Sequence, residues 1–246
     1  MRYFFTIIFL ILFAFPVSAN LLLDSDLDGV PDKDETGVYY TDPYNRDTDG
    51  DGYSDWTELN FGFSPHNSLL ITLEENDLDG DGLSDRMELK FHTNLKNKDT
   101  DGDGYIDMEE IDNGYDPLST EKIVLKKRIE IDTGRQNLKY FLGDVAIKEF
   151  VVSTGKPGME TPKGHFKVDY KDKKAWSAKY GLWMPYWMSL QNGYFGIHEL
   201  PEWPGGYKEG VDHLGKPVSH GCIRLGVGDA EFLYNWAPMG TEVFIY

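Results

Sequence analysis

The chain has 246 residues and a formal net charge of −18, with 42 acidic against 24 basic side chains and a single cysteine. That length admits one sizeable core and a smaller module, the charge argues against a nucleic-acid partner, and one cysteine excludes an intrachain disulfide framework. The acidity is local: residues 20–121 carry 28 acidic and 6 basic side chains, whereas residues 122–246 carry 14 and 17.

Residues 1–19 read as an export signal. Arg2 is a minimal basic start, Tyr3 to Phe15 is almost wholly apolar, and Val17-Ser18-Ala19 offers small residues for cleavage before Asn20. The rival reading is an uncleaved anchor, but the run is shorter than the ~20 residues a bilayer requires, and Pro16 interrupts it. The mature protein is expected to be exported, either periplasmic or associated with the cell envelope. In that setting Cys222 has no intrachain partner and reads as a reactive thiol; the plainer alternative is a buried cysteine acting as a small hydrophobe.

Residues 20–121 hold one pattern four times. It runs Asp24, Asp26, Asp28, Asp32, Glu35; then Asp47, Asp49, Asp51, Asp55, Glu58; then Asp77, Asp79, Asp81, Asp85, Glu88; then Asp99, Asp101, Asp103, Asp107, Glu110. These are loop positions 1, 3, 5, 9 and 12, with Gly29, Gly52, Gly82 and Gly104 at position 6. Carboxylates so spaced can surround Ca²⁺, and glycine permits the sharp turn between them. A disordered acidic linker is the alternative; fourfold repetition of the glycine argues against it. Position 8, aliphatic in EF-hands, is Pro31, Ser54, Ser84 and Ile106, and turn formers such as Thr41-Asp42-Pro43 and Ser64-Pro65 break the flanks. The pattern resembles the thrombospondin type 3 calcium repeats over residues 24–118. That resemblance implies a domain with little regular structure, built around structural calcium, whose folding is coupled to ion binding.

From residue 122 the composition changes to short β-branched and alternating runs: Ile123 to Ile131, Leu138 to Leu142, Val145 to Val152, Phe166 to Tyr170, Phe195 to His198 and Val243 to Tyr246. Turn residues separate them, so the pattern predicts a mainly β domain. Phe232, Leu233 and Trp236 predict a helix over Asp229 to Trp236.

The chemistry concentrates in Ser219-His220-Gly221-Cys222-Ile223-Arg224. A cysteine nucleophile needs a base, and backbone donors for the oxyanion that forms on attack. Glycine before the cysteine gives a carbonyl access to the main chain, so the amides of Gly221 and Cys222 are candidate donors. Alone, His-Gly-Cys is a weak signal. Together with Ser153-Thr154-Gly155-Lys156, Thr161-Pro162-Lys163-Gly164, Gly196-Ile197-His198 and Gly240-Thr241-Glu242-Val243, however, it resembles the L,D-transpeptidase catalytic domain of the YkuD type over residues 122–246.

The resemblance implies a β-sandwich with one or two short helices, acting on peptidoglycan stem peptides without a catalytic cofactor. It makes Cys222 the nucleophile and His198 the proton acceptor and donor, oriented by the Glu199 carbonyl. His220 and Gly221 support the catalytic pocket, and Ser219 and Arg224 lie on the substrate side. Glu199 replaces a small residue common in the family and is expected to narrow the cleft or add negative charge. The aromatic group Trp176, Tyr180, Trp183, Tyr186 and Trp187 reads either as core or as a flap over the site. His66, His92, His165 and His213 read as surface, rim or structural residues. Rival functions are an L,D-carboxypeptidase or cross-link hydrolase, a calcium-dependent wall-binding protein without activity, and a papain-like protease, whose pattern around the cysteine is missing. Wall or envelope protein contacts are expected of the repeats.

Overall fold

The computed structural model describes residues 22–246; the expected export signal lies outside them. The described chain forms two compact units, the first ending at Thr72 and the second running from Leu73 to Tyr246. Composition changes near residue 121 instead. The difference has a physical cause in the second unit, where the third and fourth loops share apolar surface with a sheet. Leu83, Phe91 and Ile111 bury against Leu142, with Met87, Met108, Leu125, Val145 and Ile147 packed around them.

Each loop feeds a short helix. α1 (Asp32–Asp34) continues as a π turn over Glu35–Tyr39; α2 (Asp55–Phe61), α3 (Asp85–Phe91) and α4 (Asp107–Asn113) follow the other loops. Their first turns carry the carboxylates of loop positions 9 and 12, a placement that suits the exposed amides of a helix start. They stop where the next residue turns left-handed, at Gly62, His92 and Gly114, with φ of 85°, 64° and 80°. Helices this short do not stand alone. In each unit the fifth-position aspartate of one loop braces the helix of the next: Asp28 Oδ2 accepts the Trp56 amide at 2.9 Å, and Asp81 Oδ2 the Met108 amide at 3.1 Å.

The rest of the second unit is a β-sandwich. Its strands are β1 (Lys127–Asp132), β2 (Asn137–Leu142), β3 (Val145–Val151), β4 (Gly164–Lys167), β5 (Tyr170–Ser177), β6 (Leu182–Leu190), β7 (Phe195–Glu199), β8 (Ile223–Leu225) and β9 (Glu242–Ile245). One sheet runs β3-β2-β1-β9-β4 and the other β5-β6-β7-β8. β1 pairs in parallel with β9, and β7 with β8. Alternation fills the space between them: Ile129 and Ile131 of β1, Leu138 and Tyr140 of β2, Ile197 of β7, Ile223 of β8 and Val243 of β9 form one buried core. α5 (Asp229–Trp236), at the residues expected for it, adds Ala230 and Leu233 to that core.

The sequence pattern locates six strand runs, and the fold departs from it in four places, the first being the run Ile123 to Ile131, which becomes a strand only from Lys127. The run Phe166 to Tyr170 is two strands, because Val168 and Asp169 carry the chain from one sheet to the other. β5 and β6 were hidden by Lys171, Lys173 and Lys174 and by Pro185, which sits beyond the Met188–Leu190 stretch where β6 pairs with β7. β8 is only three residues long.

Candidate active site and cation loops

The site is set by the parallel pairing of β7 and β8. Ile197 lies opposite Ile223, and both are fully buried in the core. Neighbouring residues on a strand face opposite ways, so Gly196 and His198 on β7, Arg224 on β8 and Cys222 just before it share the opposite face. Cys222, His198 and Arg224 do line one cleft of about 470 Å³, with His220, Gly221, Trp187, Tyr180, Met159 and Glu160 also on its walls. Gly196 has to be glycine here: a Cβ would stand 2.3 Å from the Met188 carbonyl oxygen and 2.8 Å from the Trp187 ring.

His198 is buried, and its Nδ1 bonds the Glu199 carbonyl. A carbonyl only accepts, so Nδ1 carries the proton and Nε2 keeps its lone pair. Burial, then the Arg224 charge, hold this imidazole well below its usual range, at about 3. Burial likewise pushes the Cys222 thiol up, opposed by the Gly196 main chain and by Arg224. Both directions favour the uncharged forms, so the cleft at rest holds a thiol and a neutral base.

Ser219 is fully buried and is not among the residues on the cleft walls. Its Oγ accepts the Gly221 amide at 3.1 Å and donates to the Cys222 carbonyl at 2.6 Å, tying the turn that presents Cys222. The Gly221 amide is therefore committed within the turn, and of the two expected oxyanion donors the Cys222 amide is the one not held by Ser219. Gly221 has φ +114°, a conformation that glycine adopts readily. Its carbonyl accepts from Thr161 Oγ1, which also takes the Gly155 amide, so the Thr161 segment braces the turn from behind.

His220 is exposed at the mouth of the cleft. Its ring stacks on Tyr180, with centroids 4.6 Å apart, and Nε2 lies 3.5 Å from Lys156 Nζ. Burial, Lys156 and Arg224 lower its pKa. The aromatic group divides between its two expected roles: Trp187 is core beside Gly196 and His198, while Tyr180, at the tip of the β5–β6 hairpin, reaches over the cleft. Glu199 does not narrow the cleft. Its carboxylate points to the other side of the strand, where it pairs with Lys208 and accepts the Gly228 amide at 3.2 Å. Sequence reading missed Glu209, which bonds Arg224 Nη1 at 2.5 Å and also pairs with His213 Nδ1. It lies 15 positions before Arg224 in the chain, and nothing local marks it.

In the loops, the aspartates at positions 1, 3 and 5 converge in all four copies, with one carboxylate oxygen from each within 4.8 Å of the others. The position 9 aspartates do something different: Asp32, Asp55 and Asp107 accept both the amide and the hydroxyl of Ser25, Thr48 and Thr100, and Asp85 accepts the Leu78 amide and the Asn76 side chain. They clamp the loops. The position 12 glutamates are buried, and both oxygens of Glu58 and Glu88 and one each of Glu35 and Glu110 lack a hydrogen-bond partner, as does one oxygen each of Asp26, Asp49, Asp79 and Asp101. Burial, reinforced by neighbouring aspartates in every case, raises Glu35 and Glu110 to about 7 and Glu58 and Glu88 to about 8. Buried carboxylate oxygens with no donor fit a hard cation with oxygen ligands.

The family model for the L,D-transpeptidase catalytic domain matches residues 126–245, and that for the bacterial TSP3 repeat matches 47–62, 77–94 and 99–120. YciB of Bacillus subtilis, provisionally named an L,D-transpeptidase, is 32% identical over 132 residues, which are 50% of this chain and 68% of that protein. YkuD of Bacillus licheniformis, provisionally named likewise, is 29% identical over 118 residues, or 48% of this chain and 64% of the relative, so the chain spans just under two thirds of it. A solved L,D-transpeptidase from Stackebrandtia nassauensis is 30% identical with a TM-score of 0.42, covering 49% of this chain and 55% of that one. Over its second half, this chain belongs to the L,D-transpeptidase catalytic domain family.

Proposed function

We propose that the protein is an exported peptidoglycan L,D-transpeptidase that transfers an acyl group from a tetrapeptide stem to an amine acceptor through a thioester on Cys222. The observation that carries this reading is the shared cleft face of Cys222, His198 and Arg224, with His198 Nδ1 engaged by a carbonyl so that Nε2 is left to take a proton. Cys222 Sγ attacks the carbonyl of the third stem residue as its proton passes to His198 Nε2. The same proton then goes to the departing D-alanine nitrogen, leaving the thioester. An acceptor amine attacks next, gives its proton to His198, and displaces the sulfur as the new amide forms. The Cys222 amide supports the developing oxyanion.

Calcium is assigned to structure. Asp24, Asp26 and Asp28 with Glu35, and the equivalent sets of the other loops, would hold one ion each, and the ion would supply the positive charge that these buried carboxylates otherwise lack. No catalytic step passes through it. The acidic repeats also suit contacts with wall or envelope components once the chain has been exported.

Mass spectrometry of the purified protein with a disaccharide tetrapeptide tests the activity. Loss of D-alanine with a gain of cross-linked dimer is the expected result. Loss of D-alanine with monomer only would make it a hydrolase, and no change at all would favour a wall-binding role.

A further inference from the structure

Glu209 and Arg224 form the most buried ion pair among the described residues, and the transfer chemistry just described uses only part of it. Arg224 is 7% exposed and Glu209 8%. One guanidinium nitrogen, Nη1, is held by Glu209 at 2.5 Å, while Nε is buried with no hydrogen-bond partner. A buried donor left unpaired is costly, so an arrangement that keeps one beside the nucleophile calls for a partner that forms during the reaction. Arg224 stands two residues beyond Cys222 on the same face, opposite His198 in the strand register, and its charge is felt at both groups.

We propose that Glu209 is a positioning residue: it fixes Arg224 beside Cys222 and offsets part of its charge, and the Arg224 cation shelters the anion that forms on Cys222 Sγ when its proton passes to His198 Nε2. The two members of the ion pair pull in opposite senses. Arg224 favours the thiolate and disfavours the imidazolium, so an unopposed cation here would hold the proton off His198. Glu209 moderates that effect, and His213, half exposed on the same carboxylate, shares it. The other charged or titratable groups lining the cleft are His198 from β7, His220 from the turn, Glu160 from the bracing segment, Lys179 and Tyr180 from the hairpin and Tyr194 ahead of β7, with Lys156 against His220. Lys156, Glu160, Lys179 and His220 stand at the solvent-accessible mouth, where screening weakens them; Arg224 and Glu209 are the pair inside.

The inference rests on Cys222 being the nucleophile, but its test needs no substrate. The rate of alkylation of the full-length protein by iodoacetamide, followed against pH, reads the apparent ionisation of the thiol, while thermal melting confirms that each variant is folded. Arg224→Gln is expected to move the profile to higher pH, with alkylation at neutral pH slowed roughly tenfold if the midpoint rises by about one on the pH scale. Glu209→Gln is expected to move it to lower pH, because the cation loses its counter-charge. Arg224→Lys, which keeps the charge, should stay nearer the parent than Arg224→Gln and serves if the glutamine variant does not fold. A pair that merely pins its loop to β8 would move both profiles the same way or neither, and either result in folded variants overturns the proposal. The stem-peptide assay is separate, so failure of the proposed activity leaves this titration readable.

Discussion

The catalytic cleft and the acidic loops both bury ionisable groups, and they solve the resulting electrostatic problem differently. In the cleft burial favours a neutral His198 and an uncharged Cys222 thiol, and the Arg224 charge is met by Glu209, with its Nε left open. In the loops, Glu58 and Glu88 are as deeply buried, yet both oxygens of each stand without a donor and each is crowded by aspartates. The sandwich therefore answers its buried charges internally, whereas the loops need a cation to complete theirs. Chemistry at the cleft is expected to depend on single atoms, and stability in the loops on an ion.

Substitutions in the cleft give the largest expected effect. Cys222→Ala removes the only thiol and should abolish the covalent acyl-enzyme seen by intact-protein mass spectrometry. A surviving adduct would place the nucleophile elsewhere.

Chelation comes next, and tests the loop side. Removing calcium should expand residues 22–121, seen as a larger radius in solution scattering. Because Leu83, Phe91 and Ile111 share a cluster with Leu142, the sandwich should remain folded but melt at a lower temperature. The pH dependence has a definite sign. The four glutamates have folded pKa values raised to between about 7 and about 8, so the native state holds more protons than the unfolded one between roughly pH 4.5 and 8. The calcium-free protein should thus lose stability as pH rises through that window, with no such penalty below it. Saturating calcium should flatten the profile, and identical melting curves with calcium and chelator would break the comparison.

His198→Ala should slow acylation by roughly 10² to 10⁴, as loss of a general base does, measured by single-turnover kinetics. His220→Ala should cost less per turnover, since that ring lies at the mouth against Tyr180 and Lys156; a larger loss for His220 than for His198 would reverse the roles. The smallest effect sharpens the boundary between the two regions. Leu142→Ala opens a cavity at the shared cluster and should destabilise the second unit by about 2–4 kcal/mol, with a smaller response to calcium, as measured by denaturant unfolding. An unchanged calcium response would show that the cluster does not carry the coupling.

The sequence by itself determined the features encoded in short, fixed spacings. The aspartates at loop positions 1, 3 and 5 converge, α5 spans the residues expected for it, and Gly221, Cys222 and Arg224 reach the cleft in one short segment, because each of these depends on residues a few positions apart. Tertiary structure decided what depends on distant partners. It took the Ser219 hydroxyl and the Gly221 amide into the turn, away from the cleft, and it sent the Glu199 carboxylate to Lys208. It also brought Glu209 to Arg224, and joined the third and fourth loops to Leu142 across a boundary that composition places near residue 121. Composition records where charge lies along a chain; which face a strand residue takes, and which remote group neutralises it, are fixed only when the sheets pair.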